Sequence, residues 1–167
     1  MTPVLIRSTT EDDWREVRAL RLEMLADTPH AYVETLQTAL GHDEAEWRVR
    51  GRRGQAGTST AQVAINGDGR WVGTMGGYDP GTGPVLVGVY VTPTLRGRRA
   101  GVADALLDAV ETWAAGRGPT LRLLVHEDNT RAQAFYRRRG YALTGRSEPY
   151  VLDAGQRELE MARSLDR

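Results

Sequence analysis

Val89-Tyr90-Val91-Thr92-Pro93-Thr94-Leu95-Arg96-Gly97-Arg98-Arg99-Ala100-Gly101-Val102-Ala103, followed by Asp104-Ala105-Leu106-Leu107, is the stretch on which the reading of the fold turns. An apolar run ends at Pro93, a Gly/Arg loop follows, and Val102, Leu106, Val110 and Trp113 then recur at helical spacing. That helix ends near Gly116-Arg117-Gly118-Pro119. A second stretch repeats the order of strand, loop and helix. Leu121 to Val125 reads as a strand, and His126-Glu127-Asp128-Asn129-Thr130-Arg131-Ala132-Gln133-Ala134-Phe135-Tyr136 leads into a helix closed by Gly140-Tyr141.

The Gly/Arg loop has the chemistry of an anion site. A helix N-terminus leaves backbone N–H groups unpaired and carries partial positive charge. Gly97 and Gly101 allow close approach, Ala103 keeps the first turn slim, and Arg96, Arg98 and Arg99 add charged donors. Taken alone, the loop fits a solvated basic turn equally well. No Gly-Lys-Ser/Thr follows it, so it is not a Walker loop, and the three-glycine dinucleotide fingerprint is absent. In the second stretch, Asn129 stands where a helix cap or a grip on a ligand amide is placed. Ala132, Phe135 and Tyr136 fall on one helix face. A core aromatic is the plain alternative for Tyr136.

Outward from these stretches the pattern continues. Val4 to Arg7 reads as a first strand, and Ser8 to Asp13 supplies helix-start residues ahead of Val17, Leu20 and Met24. A second helical segment is expected from about Ala31 to Arg50, broken near Gly41, and Gly51 to Thr60 reads as a loop. Gln62–Ile65 and Trp71–Tyr78 form a strand pair around the turn Asn66-Gly67-Asp68-Gly69. Val85 to Val91 is a buried strand, and Glu158-Leu159-Glu160-Met161 suggests a final one. The order predicts an α/β fold of the α+β type, a single domain over residues 1–167.

Composition narrows the function. Lys+Arg and Asp+Glu are equal at 22 each, which gives no global bias toward nucleic acid or an anionic membrane. The chain has no cysteine, which excludes disulfides and thiolate chemistry, and its 3 histidines show no metal spacing. No apolar run approaches a membrane span, and no signal pattern opens the chain, so the expectation is a cytoplasmic protein without metal, nucleic-acid or membrane partners.

Together, the Arg98-Arg99-Ala100-Gly101-Val102-Ala103 loop and the Asn129-to-Tyr141 segment resemble the Gcn5-related N-acetyltransferase (GNAT) superfamily. The resemblance implies a mostly antiparallel sheet of about six to seven strands with about four helices, splayed to admit acetyl-CoA. It implies that the strand residues Val89, Tyr90 and Val91 present backbone groups to the acetyl and pantetheine portions. It assigns Arg96, Gly97, Arg98, Arg99, Ala100, Gly101, Val102 and Ala103 to the pyrophosphate, and Asn129, Ala132, Phe135 and Tyr136 to the rest of the cofactor. Tyr136 is then the catalytic residue, a donor toward the leaving thiolate. Two registers of the loop stay open, one starting at Arg98 and one at Arg96, of which the first keeps Ala105-Leu106-Leu107 in helical phase.

The implied reaction is acetyl transfer to a primary amine of a small molecule or peptide by direct attack in a ternary complex, and the family also admits a homodimer. One departure stands out, because no Glu lies between Val85 and Val91, where the family often places one. Glu34, Asp79, His126 and Glu127 are candidate bases by position, with none assigned. The acceptor pocket is expected between the first two helical segments and the loop after Tyr150, near His30, Tyr32 and Glu34. The alternatives are a non-catalytic acyl-CoA-binding sensor on the same fold and a nucleotide- or phosphate-binding module using only the basic loop.

Overall fold

The computed structural model describes residues 3–166. Its elements are β1 (Leu5–Ser8), α1 (Trp14–Asp27), α2 (Leu36–Leu40), α3 (Glu44–Arg52), β2 (Ser59–Ile65), β3 (Trp71–Tyr78) and β4 (Val85–Val91). They continue as α4 (Val102–Ala115), β5 (Thr120–His126), α5 (Thr130–Arg138), β6 (Ala142–Tyr150) and β7 (Asp153–Ser164). One 7-stranded sheet takes the order β1-β2-β3-β4-β5-β7-β6. All neighbours are antiparallel except β4 and β5. The mixed fold and the predominantly antiparallel sheet match the sequence reading.

Successive residues of a strand point to opposite faces, and β4 divides two apolar cores in this way. Val91 joins Leu106, Leu107, Val110, Leu123 and Met161 under α4 and α5. Tyr90 joins Leu20, Met24, Leu25 and Trp47 under α1 to α3. The Asn66 turn closes the β2–β3 hairpin as predicted, its Oδ1 accepting the N–H groups of Asp68 at 3.0 Å and Arg70 at 2.9 Å.

Three local expectations are corrected. The second helical segment does not start at Ala31: Pro29–Ala31 is a single 3-10 turn, and α2 begins at Leu36 behind Thr35, whose Oγ1 accepts the Thr38 N–H at 3.1 Å. Between them, Tyr32 and Glu34 are drawn to partners on β4, α1 and α3, and those tertiary bonds override helical phasing. The break expected at Gly41 is present. Gly51 belongs to α3 and lies against the Thr10 backbone, so the loop before β2 is shorter than its Gly content suggested. Finally, β6 and β7 form one long hairpin, and the loop expected after Tyr150 is only the turn at Val151 and Leu152.

The feature that makes the site is a defect in the sheet. β4 and β5 pair only at Val85↔Arg122 and Leu86↔Leu123 and then separate. At the point of separation Gly88 takes φ +61°, and the β3–β4 register runs from Thr74↔Tyr90 to Gly76↔Val87, one extra residue on β4. A bulge of this kind bends its strand and interrupts pairing. Gly88 adopts the backbone angle at little cost because it lacks a Cβ.

Candidate active site

A cleft of about 470 Å3 opens where β4 and β5 part. One wall is Val89, Tyr90 and Val91 of β4, and the opposite wall is Asn129, Ala132, Phe135 and Tyr136 of α5. Arg96, Gly97, Arg98 and Ala103 of the loop and α4 close one end. Four of the residues singled out from the sequence lie off this wall. Arg99 is exposed, Ala100 packs on the core, Val102 is fully buried, and Gly101 is the left-handed N-cap of α4 at φ +72°. The first bond of α4 runs from the Ala105 N–H to the Gly101 carbonyl at 3.0 Å, leaving the preceding N–H groups of that turn outside the helical ladder.

The cleft also contains residues that sequence reasoning passed over. Arg131 and Arg138 flank Phe135 on α5, and their spacing at i−4 and i+3 is a signal that the sequence carried. Thr28 and Ala31 come from the segment after α1, beside Tyr32, which the sequence had placed near the acceptor pocket.

The arginines divide by their partners. Arg96 donates through Nε to the Val91 carbonyl at 2.8 Å, pairs its guanidinium with Asp27, and lies over the Tyr90 ring with 5.5 Å to the centroid. It therefore ties the end of β4 to the end of α1. Arg98 is exposed and makes no ion pair among the described residues.

Asn129 is the N-cap of α5, its Oδ1 accepting the Ala132 N–H at 3.2 Å. Tyr136 is 5 % exposed, with its ring against Phe135 at 5.4 Å and Tyr141 at 5.8 Å between centroids. Tyr136 lines the cleft, and among the described residues no group accepts from its hydroxyl. Burial pushes its phenol well above the ordinary value, so the group holds its proton.

The family model for the Acetyltransferase (GNAT) family matches residues 17–141. The chain belongs to this family. Among curated proteins none matches this acetyltransferase. Solved structures resemble it at low identity. A GNAT-family acetyltransferase of Streptococcus pneumoniae is 17% identical, with TM-score 0.79, covering 98% of this chain and 100% of its own. A GNAT-superfamily phosphinothricin acetyltransferase of Sinorhizobium meliloti, solved with AcCoA, is 19% identical, with TM-score 0.75 and coverage of 98% and 89%. Nourseothricin acetyltransferase is 28% identical, with TM-score 0.59 and coverage of 66% and 67%. No helix among the described residues is long and apolar enough to cross a membrane, and none of their side chains cluster as a metal site.

Behind the cleft of the acetyltransferase lies a smaller chamber of about 80 Å3, inside the V of the splayed strands. Tyr32, Val89, Asn129 and Tyr136 line both spaces. The Tyr32 hydroxyl donates to the Val89 carbonyl at 2.7 Å, and the Tyr150 hydroxyl donates to the Tyr32 carbonyl at 2.7 Å.

The four candidate bases are engaged elsewhere. Glu34 accepts from Arg21 at 2.9 Å and from both Arg50 nitrogens at 2.9 and 2.7 Å, and it pairs with His42 at 2.8 Å. The Arg50 fork, joined by Arg21 and His42, holds its carboxyl far below the usual range. Asp79 caps the turn through the N–H groups of Gly81 and Gly83. Glu127 accepts the Arg157 N–H at 3.3 Å. His126 lines the chamber, but its Nδ1 accepts the Asp128 N–H at 3.1 Å and its Nε2 lies 2.6 Å from Gln156 Oε1. The side chain of His30 lies outside the described residues.

Proposed function

We propose that the chain transfers an acetyl group from acetyl-CoA to a primary amine of a small molecule or peptide, by direct attack in a ternary complex. The observation that carries this reading is the slot itself: strands β4 and β5 pair at two positions only, and Tyr136, whose hydroxyl has no partner among the described residues, lines the gap. Two similar structures, a phosphinothricin acetyltransferase and a nourseothricin acetyltransferase, support a small-molecule acceptor.

The residues present suit the cofactor. The bent β4 leaves backbone groups of Val87 to Val91 unpaired with β5, Asn129 lines the cleft, and the first turn of α4 offers N–H groups to phosphate oxygens. With Arg96 committed to Val91 and Asp27, the loop residue offered to the phosphates is Arg98, which is the register that begins at Arg98. Acetyl-CoA supplies a thioester whose thiolate leaves as the amine attacks. Tyr136 donates a hydrogen bond to the sulfur as negative charge develops there. Full proton transfer from Tyr136 is disfavoured: an ordinary phenol near 10 is already a weaker acid than a thiol near ~8.5, and burial weakens it further. Glu34, Asp79 and Glu127 line neither the cleft nor the chamber, and the Asp128 N–H occupies Nδ1 of His126. The acceptor therefore arrives as the neutral amine, and the proton that it sheds on forming the amide goes to the departing thiolate, which leaves as the thiol.

A thiol-release assay with acetyl-CoA tests this against amino acids, polyamines, aminoglycosides and peptide N-termini. Release that depends on one amine class and yields its N-acetyl product supports the reading. Tight acetyl-CoA binding with no release across the panel would make the protein a sensor instead.

A further inference from the structure

The inner chamber is lined by Leu86 and Leu123, the last paired residues of β4 and β5, and it shares Ala31, Tyr32, Val89, Asn129, Ala132 and Tyr136 with the outer cleft. Tyr136 comes from the α5 side of the sheet and Tyr32 from the α1 side, where it is 6 % exposed within the second core. Tyr32 cannot easily swing aside. Its hydroxyl is bonded to the Val89 carbonyl, its own carbonyl accepts from Tyr150, and the Arg21 guanidinium lies 5.1 Å from its ring centroid. Two residues on, Glu34 anchors the same segment to α1 and α3 through Arg21 and Arg50. The segment after α1 is thus clamped over the slot, and a side chain held this way presents a fixed wall.

We propose that Tyr32 sets the size of the acyl group this enzyme accepts, walling the inner chamber so that acetyl fits and longer straight chains do not. The chamber is small, about 80 Å3 against about 470 Å3 for the cleft that it adjoins, so the room for a lengthening acyl chain depends on the side chains that wall it. Added methylenes must displace a ring that three contacts hold in place. The cost of such overpacking falls on the longer acyl chain and leaves acetyl unaffected. The proposal rests on the acetyl-CoA reading above and adds a selectivity that the family resemblance does not specify.

Calorimetric binding of acetyl-CoA, propionyl-CoA and butyryl-CoA to the full chain tests it without knowledge of the acceptor. Each affinity is normalised to that of free coenzyme A on the same variant. The unmodified protein is expected to bind butyryl-CoA at least about tenfold more weakly than acetyl-CoA, the scale of discrimination that one misfitting methylene produces. In Tyr32→Ala the ratio should fall to within about twofold. Tyr32→Leu, which keeps apolar bulk in the second core but ends short of Val89, should fall between the two and decides the matter if the alanine variant does not fold. An unchanged ratio in a folded Tyr32 variant overturns the role of Tyr32 and leaves the acetyl-CoA reading standing. Failure of the unmodified protein to bind any of the three thioesters overturns that reading and this one together.

Discussion

The side-chain oxygen of Asn129 accepts the backbone N–H of Ala132 at 3.2 Å, so the residue that faces the cleft also caps the helix that carries Tyr136. Its two polar atoms separate these roles. Asn129→Ala loses the cap, at a cost of about 1 kcal/mol, and the melting temperature should drop by roughly 2–4 °C. Asn129→Asp keeps an accepting oxygen at a helix N-terminus, where a carboxylate is favoured, but has no amide donor. Calorimetry should find this variant as stable as the parent yet weaker in acetyl-CoA binding. Equal acetyl-CoA affinity in the aspartate variant would confine Asn129 to capping.

Arg96 and Arg98 should part company under the same substitution. Arg96→Ala removes a partly buried hydrogen bond to Val91 and an exposed ion pair with Asp27. Unfolding by urea should show a loss of about 1–2 kcal/mol. Arg98→Ala touches nothing in the fold, so stability should move by less than about 0.5 kcal/mol. Its acetyl-CoA affinity should fall instead, with a weaker dependence on salt concentration.

Tyr136→Phe removes a hydroxyl without a protein partner, so the folded state loses no hydrogen bond. Thermal unfolding should be nearly unchanged and the KM for acetyl-CoA likewise. Once an acceptor is known, kcat should fall by about 10²-fold, the usual loss on removing one positioned donor. Undiminished turnover would remove Tyr136 from the chemistry.

With no side chain placed to accept a proton, kcat/KM for the amine should track the fraction of neutral amine. Below the pKa of the acceptor, the rate should rise about tenfold per pH unit. Tyr136 stays protonated across this range because burial raises its pKa. A rate profile that levels off well below the pKa of the acceptor would instead reveal a base supplied by the protein.

Glu34 makes acid stability testable. Its ion pairs with Arg50 and Arg21, and the contact with His42, hold its folded pKa far below that of a carboxyl in the unfolded chain. Its contribution is therefore complete above the unfolded value, near ~4.3, and fades as the pH falls below it. Glu34→Gln should be less stable than the parent by about 2 kcal/mol at pH 7. Urea titrations at pH 7 and pH 3 should show that gap narrowing in acid.

The chain alone determined the elements whose causes are local. Apolar spacing announced α4 and α5, glycine and proline punctuated them, and the Asn66 turn closed its hairpin, because each depends on residues a few positions apart. The Asn129-to-Tyr136 face was legible for the same reason, with all three of its apolar and aromatic members on one wall of the cleft. Tertiary contact alone decided the rest. It broke the expected helix after Ala31 and drew Tyr32 to Val89, a bond across 57 positions. It separated Arg96 from Arg98 by giving one of them Asp27 as a partner. It also tied the candidate bases Glu34 and Asp79 into bonds of their own and left Glu127 exposed, accepting the Arg157 N–H. Periodicity records which face of an element is buried. It carries no information about which distant carbonyl or carboxylate waits there, and those partners set what each polar side chain is free to do.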